Sequence, residues 1–394
     1  MTYSFFKLVA ASTVAATCFC TAAAQAATAP APLKIGVILP FSGPYAPYGE
    51  QISSGIKVYM KEHGDTVAGR KVQVIYKDDT GVAPEVDKRL AQELLVNEKV
   101  DLLAGFGMTP SALAVAPLAT KAKCPMVVMN AGSAVIPSRS PYIIRVSESL
   151  PQVTRPAAKW AAKHGIKKVY TLVADYAPGI DTEKAFTETF EKLGGTIVGS
   201  VRVPVTNTDF ASYIQKIKDE KPDAVFMFLP PGPATISFVK SYHERGLRKA
   251  GIKMLGTHDL TEETLIDSLG NGVIGTITSG YYSAAHDSDL NRKFVKEYKA
   301  MFGPDAKINF MSATGYDGMA AIYAALTKTG GDSDGDKLMQ AFKGMSFESP
   351  RGPVTIDPVT RDMTQNIYMR EVKLVDGHLA NVEFDKEANV KAQP

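Results

Sequence analysis

From Leu33 onward, short runs of β-branched residues alternate with longer amphipathic segments, and this alternation constrains the fold more than any single residue does. Strands separated by helix-length segments cannot pair as tight hairpins, so they are expected to lie parallel, with helices covering the sheet. Residues 33–39 read as the first strand, and residues 49–63, with Ile52, Ile56 and Tyr59 on one face, as the first helix. The pattern repeats as strand 72–76, helix 84–97 with Pro84 in its first turn, strand 101–104, helix 111–122, strand 126–129 and strand 142–146. A second, similar series then begins: helix 152–164, strand 168–174, helix 181–193, strand 196–203, helix 209–219, strand 224–229, helix 234–245, strand 252–255, helix 262–269 and strand 273–278.

Two such series predict an α/β chain with two doubly wound parallel-sheet lobes. The length of 394 residues agrees, at roughly 100–200 residues per domain. After Ser283 the order changes to helices 289–301, 312–329 and 337–342 and a hairpin of 354–356 with 366–375, turned at Asp357-Pro358. This tail is too short for a third lobe and is expected to return and complete the other two. Its acidic segment from Gly330 to Asp336 lacks the full ligand spacing and terminal Glu of a calcium loop, and reads as a solvated loop.

The first residues differ from the rest. Lys7 is the sole charge before Lys34, residues 8–19 form an apolar run too short to span a bilayer, and Ala24-Gln25-Ala26 places small residues where a signal peptidase cuts. Residues 1–26 therefore read as a cleaved export signal that carries Cys18 and Cys20 away and leaves Cys124 without a disulfide partner. The expected destination is the periplasm. Lysine and arginine (44) nearly balance aspartate and glutamate (41), and the basic residues are scattered, which disfavours nucleic-acid binding. No apolar stretch of about 18 residues follows residue 30, so no membrane span is expected there.

Signatures of catalysis are sparse. Gly105-Phe106-Gly107 follows a strand, but Pro110 stands where a dinucleotide fingerprint needs its third glycine, and the six histidines are dispersed. No catalytic residue, cofactor or metal is implied. The strand ends are more informative, because open α/β sheets bind ligands beyond the carboxyl ends of their strands. Phe41 to Gly49, including Tyr48, follows strand one; Gly105 to Ser111, including Gly107, Met108 and Thr109, follows strand three; Asn130 to Ser133, including Ala131, follows strand four. Hydroxyls and backbone N–H groups at helix starts make a carboxylate site, although Thr109 and Ser133 could each serve only as an N-cap.

Ile35-Gly36-Val37, Ser42-Gly43-Pro44, Tyr48-Gly49, Asp78-Asp79, Gly105 before the hydroxyl loop and Asp175-Tyr176-Ala177-Pro178-Gly179 together resemble the leucine/isoleucine/valine-binding family, the type I periplasmic substrate-binding proteins of ABC importers. The resemblance runs from about Leu33 to Asp385. It implies two lobes joined by three crossovers, with residues 33–147 plus 282–350 in one lobe and 148–281 plus 351–385 in the other. It also implies a non-enzymatic, monomeric receptor that closes over a small molecule and presents it to an inner-membrane permease. A ligand-sensing subunit would look the same.

The family's two carboxylate-binding loops fall on Gly107-Met108-Thr109 and Ala131-Gly132-Ser133. Pro178 replaces the usual tyrosine, so the stacking role passes to Tyr176, and the aromatic at the end of the lobe's third strand falls at Phe228. The acid that receives an ammonium group in amino-acid binders falls on His258, with Asp259 next to it. A buried ammonium without a partner is costly, so an aromatic or other apolar acid is favoured over a branched-chain amino acid unless Asp259 takes the missing role.

Overall fold

The computed structural model describes residues 1–2 and 30–393, so residues 3–26 of the expected export signal lie outside the described residues. In the first lobe, β1 (Leu33–Leu39), apolar apart from Lys34 near its start, occupies the middle of a six-stranded sheet. The short edge strand β2 (Thr66–Val67) pairs antiparallel with β3 (Arg70–Asp78), and β1 pairs in parallel with β3 and with β4 (Leu102–Gly105). Strands β5 (Met126–Val128) and β6 (Ile143–Arg145) extend the parallel order. Helices α1 (Ala46–His63), α2 (Pro84–Glu93) and α3 (Thr109–Ala122) connect them, each with a proline in its first turn, where the missing N–H costs nothing.

Helix α4 (Leu150–Lys163) carries the chain to the second sheet. There β7 (Lys168–Ala174), β8 (Thr196–Val203), β9 (Ala224–Phe228), β10 (Lys253–Thr257) and β11 (Ile277–Gly280) run parallel, linked by α5 (Ala177–Lys192), α6 (Ala211–Glu220), α7 (Pro233–Glu244) and the short α8 (Ile266–Leu269). The chain then returns to the first lobe through α9 (Asp289–Phe302), α10 (Phe310–Lys328) and α11 (Gly335–Phe342). Helix α10 meets α1 backbone to backbone. A Cβ on Gly55 would lie 1.9 Å from the Ser312 carbonyl oxygen, and one on Gly315 2.1 Å from that of Ile52. A third passage leads to β12 (Ser346–Ser349), β13 (Gly352–Ile356), β14 (Met363–Val375) and β15 (His378–Val390), which form the antiparallel edge of the second sheet.

The crossover region is polar and tightly bonded. Gln365 Nε2 donates to the Ser147 carbonyl at 2.9 Å, Gln152 Nε2 to that of Met363 at 2.8 Å, and Ser279 Oγ to that of Val153 at 2.6 Å. Arg351, fully buried, pairs with Asp317 at 2.7 Å.

Several expectations shift. Strand 273–278 forms later, as β11, because Gly270–Val273 is a 3-10 turn and Gly275 has a φ of +83°. Strands β2, β12 and β15 had no counterpart in the sequence reading. The acidic segment after Gly330 serves α11: Asp334 caps it by accepting from Lys337 N at 3.0 Å, and Asp336 holds Lys123 at 2.9 Å. Among the described residues no helix is long and apolar enough to cross a membrane.

Candidate functional site

The carboxyl ends of β4 and β5 build one wall of a cavity between the lobes. After β4 the backbone turns through two left-handed residues, Gly105 at φ +102° and Phe106 at φ +64°. Such a conformation is strained for a buried aromatic and persists because its surroundings fix it. Phe106 N donates to Ile38 O at 2.9 Å, and Ala131 N donates to Phe106 O at 3.0 Å, which locks the two loops side by side. Met108, the residue preceding α3, makes no side-chain cap, and neither does Thr109. Instead Thr109 Oγ1 accepts from Ser133 N at 3.3 Å, joining the loops. The positive end of α3 thus opens on the cavity beside small residues, an arrangement that attracts a carboxylate.

The loop after β5 is held from beneath by a charge. Arg145, fully buried at the end of β6, donates to the carbonyls of Ser133 at 2.7 Å and Ala131 at 3.2 Å, and its Nε pairs with Asp362 at 2.6 Å. Ser133 itself reaches across the cleft: its hydroxyl donates to Asp181 Oδ2 on α5 at 2.6 Å, and Ala134 N donates to the same oxygen at 3.0 Å. A second bridge runs from the Tyr48 hydroxyl to the Pro231 carbonyl at 3.3 Å.

The opposite wall is aromatic and acidic. Tyr176, after β7, lies nearly parallel to Phe228, at the end of β9, with ring centroids 6.3 Å apart. Pro178 and Pro230 flank them, Asp259 follows β10, and Glu148 and Leu150 enter from the first crossover. The cavity so enclosed is small, about 30 Å³. Burial pushes the phenols of Tyr48 and Tyr176 well above their ordinary range. Burial and then the neighbouring Asp259 raise the Glu148 carboxyl to about 8, against the pull of Arg145 and Arg351. Asp259 rises to about 6, again by burial, and its Oδ2 accepts from Thr257 Oγ1 at 2.6 Å.

Eight of the ten sequence-selected residues line this cavity: Tyr48, Gly107, Met108, Thr109, Ala131, Tyr176, Phe228 and Asp259. Ser133 lies in the same loop with its hydroxyl engaged by Asp181. His258 lies behind the wall, fully buried, its ring 3.9 Å from that of Phe310 and 5.0 Å from that of Tyr281. Burial, with Arg370 and Arg351 nearby, pushes its pKa well below the usual value and keeps it neutral. Sequence reasoning missed Glu148, Arg145 and Asp181. Two charged residues in the otherwise small and apolar run Arg145-Val146-Ser147-Glu148-Ser149 were the available signal for the first two.

A family model described as periplasmic binding protein matches residues 32–378. Leu/Ile/Val-binding protein homolog 6 of Brucella melitensis is 45% identical over 367 residues, 92% of this chain and 94% of its own. A solute-binding protein of an ABC transporter from Rhodopseudomonas palustris BisB5, in complex with 3,4-dihydroxybenzoic acid, shares 52% identity with a TM-score of 0.88, covering 91% of this chain and 98% of that one. Its counterpart from Rhodopseudomonas palustris HaA2, in complex with p-hydroxybenzoic acid, shares 45% identity with a TM-score of 0.89 over 91% and 98%.

Proposed function

The chain belongs to the periplasmic binding protein family, and on that footing we propose that it captures a small aromatic carboxylate between its lobes and delivers it to an ABC permease of the inner membrane. The observation that carries this reading is the pairing of walls: a helix N-terminus with two backbone-rich loops facing the parallel rings of Tyr176 and Phe228. The first suits a carboxylate, the second an aromatic ring. The aromatic acids bound by the two Rhodopseudomonas proteins point the same way. Closure would shift a population, since the ligand touches both walls only when the lobes meet. Residues 33–147 with 282–350 and residues 148–281 with 351–385 are the bodies proposed to move. Export would remove residues 1–26, and the intact mass of the periplasmic protein tests this: a chain starting at Met1, or a lipidated one starting at Cys18, overturns it.

A branched-chain amino acid is the competing ligand, favoured by one observation: Asp259 stands in the cavity wall beside Glu148, where an ammonium could be received. Calorimetric titration with benzoate, 4-hydroxybenzoate and leucine decides between them. Micromolar or tighter binding of an aromatic acid, with leucine weaker, is expected. Leucine binding with no response to any aromatic acid would overturn the proposal.

A further inference from the structure

The acid cluster on the crossover side of the cavity exceeds what capture of a bare aromatic acid requires. Glu148 and Asp259 both line the cavity, and Glu148 is 3% exposed. His258 Nε2 sits between them, 3.8 Å from Glu148 Oε1 and 3.6 Å from Asp259 Oδ2, beyond hydrogen-bond reach of either. Among the described residues, Glu148 Oε2 and both ring nitrogens of His258 have no hydrogen-bond partner. Buried polar groups are rarely left so unless something else satisfies them.

Building on the aromatic-acid reading above, we propose that Glu148 and Asp259 form a subsite for a phenolic hydroxyl, so that the protein selects ring-hydroxylated aromatic acids over unsubstituted ones. A phenol both donates and accepts, and the two acids supply both complements. Asp259, mostly ionised near neutral pH, accepts a hydrogen bond from the phenolic O–H. Glu148, raised to about 8 by burial, is mostly the neutral acid near neutral pH and donates to the phenolic oxygen. The same charges fix the ligand's direction. Asp259 repels the ligand carboxylate, which turns instead to the N-terminus of α3. Arg145 and Arg351 temper Glu148, and Arg370 tempers Asp259, so the cluster is held without an ammonium.

The test is calorimetric titration near neutral pH of the full mature chain, its Glu148→Met and Glu148→Gln variants, with 4-hydroxybenzoate, 4-methoxybenzoate and benzoate. The unmodified protein should bind 4-hydroxybenzoate about tenfold or more tightly than either of the others, because a site built for a hydroxyl leaves polar groups unpaired when it is missing. Glu148→Met should bring that ratio to within about threefold, whereas Glu148→Gln, which still donates, should largely keep it. Should Glu148→Met not fold, Asp259→Leu, which removes the acceptor, takes its place and should likewise lower the ratio. Equal affinity for benzoate and 4-hydroxybenzoate, or an undiminished ratio in Glu148→Met, overturns the subsite while leaving aromatic-acid capture standing. Failure of all three acids to bind overturns both.

Discussion

The two walls of the cleft are made of different material. The first-lobe wall is mainly backbone, hydroxyl and small side chains, with Tyr48 and Met108 beside them, arranged by strand ends, a strained turn and a buried arginine. The second-lobe wall is aromatic rings, prolines and acids whose charge is governed by burial. A wall of amides at a helix end recognises a carboxylate whatever carries it, whereas rings and acids respond to what lies beyond it. The division teaches where affinity for a class ends and choice within the class begins. Damage to the first wall should weaken every acid alike, and damage to the second should reorder them.

The largest effect belongs to Arg145. Arg145→Met leaves Asp362 buried without its cation and releases the carbonyls of Ala131 and Ser133. Loss of one partner from a buried pair costs about 3–5 kcal/mol, so denaturant unfolding should show a fall of that order. Calorimetry on the folded fraction should show binding of all carboxylates lost together. Retained ranking with retained affinity would mean that the loop stands without its arginine, and the comparison of the walls would fail on its first side.

Much of the first wall was legible in the sequence, because each part is local: Gly107-Met108-Thr109 and Ala131-Gly132-Ser133 each follow a strand in a recognisable βα unit. Arg145 and Glu148 were not legible. Arg145 acquires its meaning from Asp362, 217 positions away, and Glu148 from Asp259 and His258, all brought together by crossovers that no local pattern reports. His258 was read as a ligand partner because it occupies the position of an acid. Packing against Phe310 and Tyr281 instead places its neighbour Asp259 at the surface of the cavity. Strands β12 and β15 escaped for a related reason, since β15 carries the consecutive charges Asp385-Lys386-Glu387 and is specified by its pairing with β14.

On the second wall, Tyr176→Ala and Phe228→Ala each remove one of two parallel rings. Burying a large apolar side chain is worth about 1.5–3 kcal/mol, so aromatic acids should bind roughly 10- to 100-fold more weakly by calorimetry. Short aliphatic acids, which gain less from the rings, should lose less, and the ranking should compress. An equal loss for aliphatic and aromatic acids would erase the distinction between the walls.

A smaller effect separates acids that serve the ligand from acids that serve the fold. Asp79 and Asp87, fully buried in the first lobe, are lifted by burial to about 6 and about 7, and they do not line the cavity. A carboxyl whose pKa is raised on folding binds protons more tightly in the folded state. Its contribution to stability is therefore present below the unfolded value near 4 and is lost as pH rises towards 7. Asp87→Asn should melt above the parent protein at pH 8, and the difference should vanish near pH 4, with the order of ligand affinities unchanged. A melting difference that does not vary with pH would show that Asp87 is not the titrating group.

The smallest expected effect belongs to neither wall but to their meeting. Asp181 accepts from Ser133 Oγ and Ala134 N across the cleft, and it does not line the cavity, so it acts on closure and not on the ligand. Its bonds exist only when the lobes meet, and they therefore weight the closed form with or without a ligand. Asp181→Ala removes both, at about 0.5–1.5 kcal/mol for a partly exposed hydrogen-bonded contact, which converts to roughly a two- to tenfold loss of affinity. Because closure is common to every ligand, the loss should be the same factor for benzoate, 4-hydroxybenzoate and any other acid that binds. Small-angle scattering of the ligand-free protein should show a larger radius of gyration in the variant, and saturating ligand should bring the two together. A loss that differs between acids would place Asp181 in recognition after all, and the first wall could no longer be read as indifferent to what the carboxylate carries.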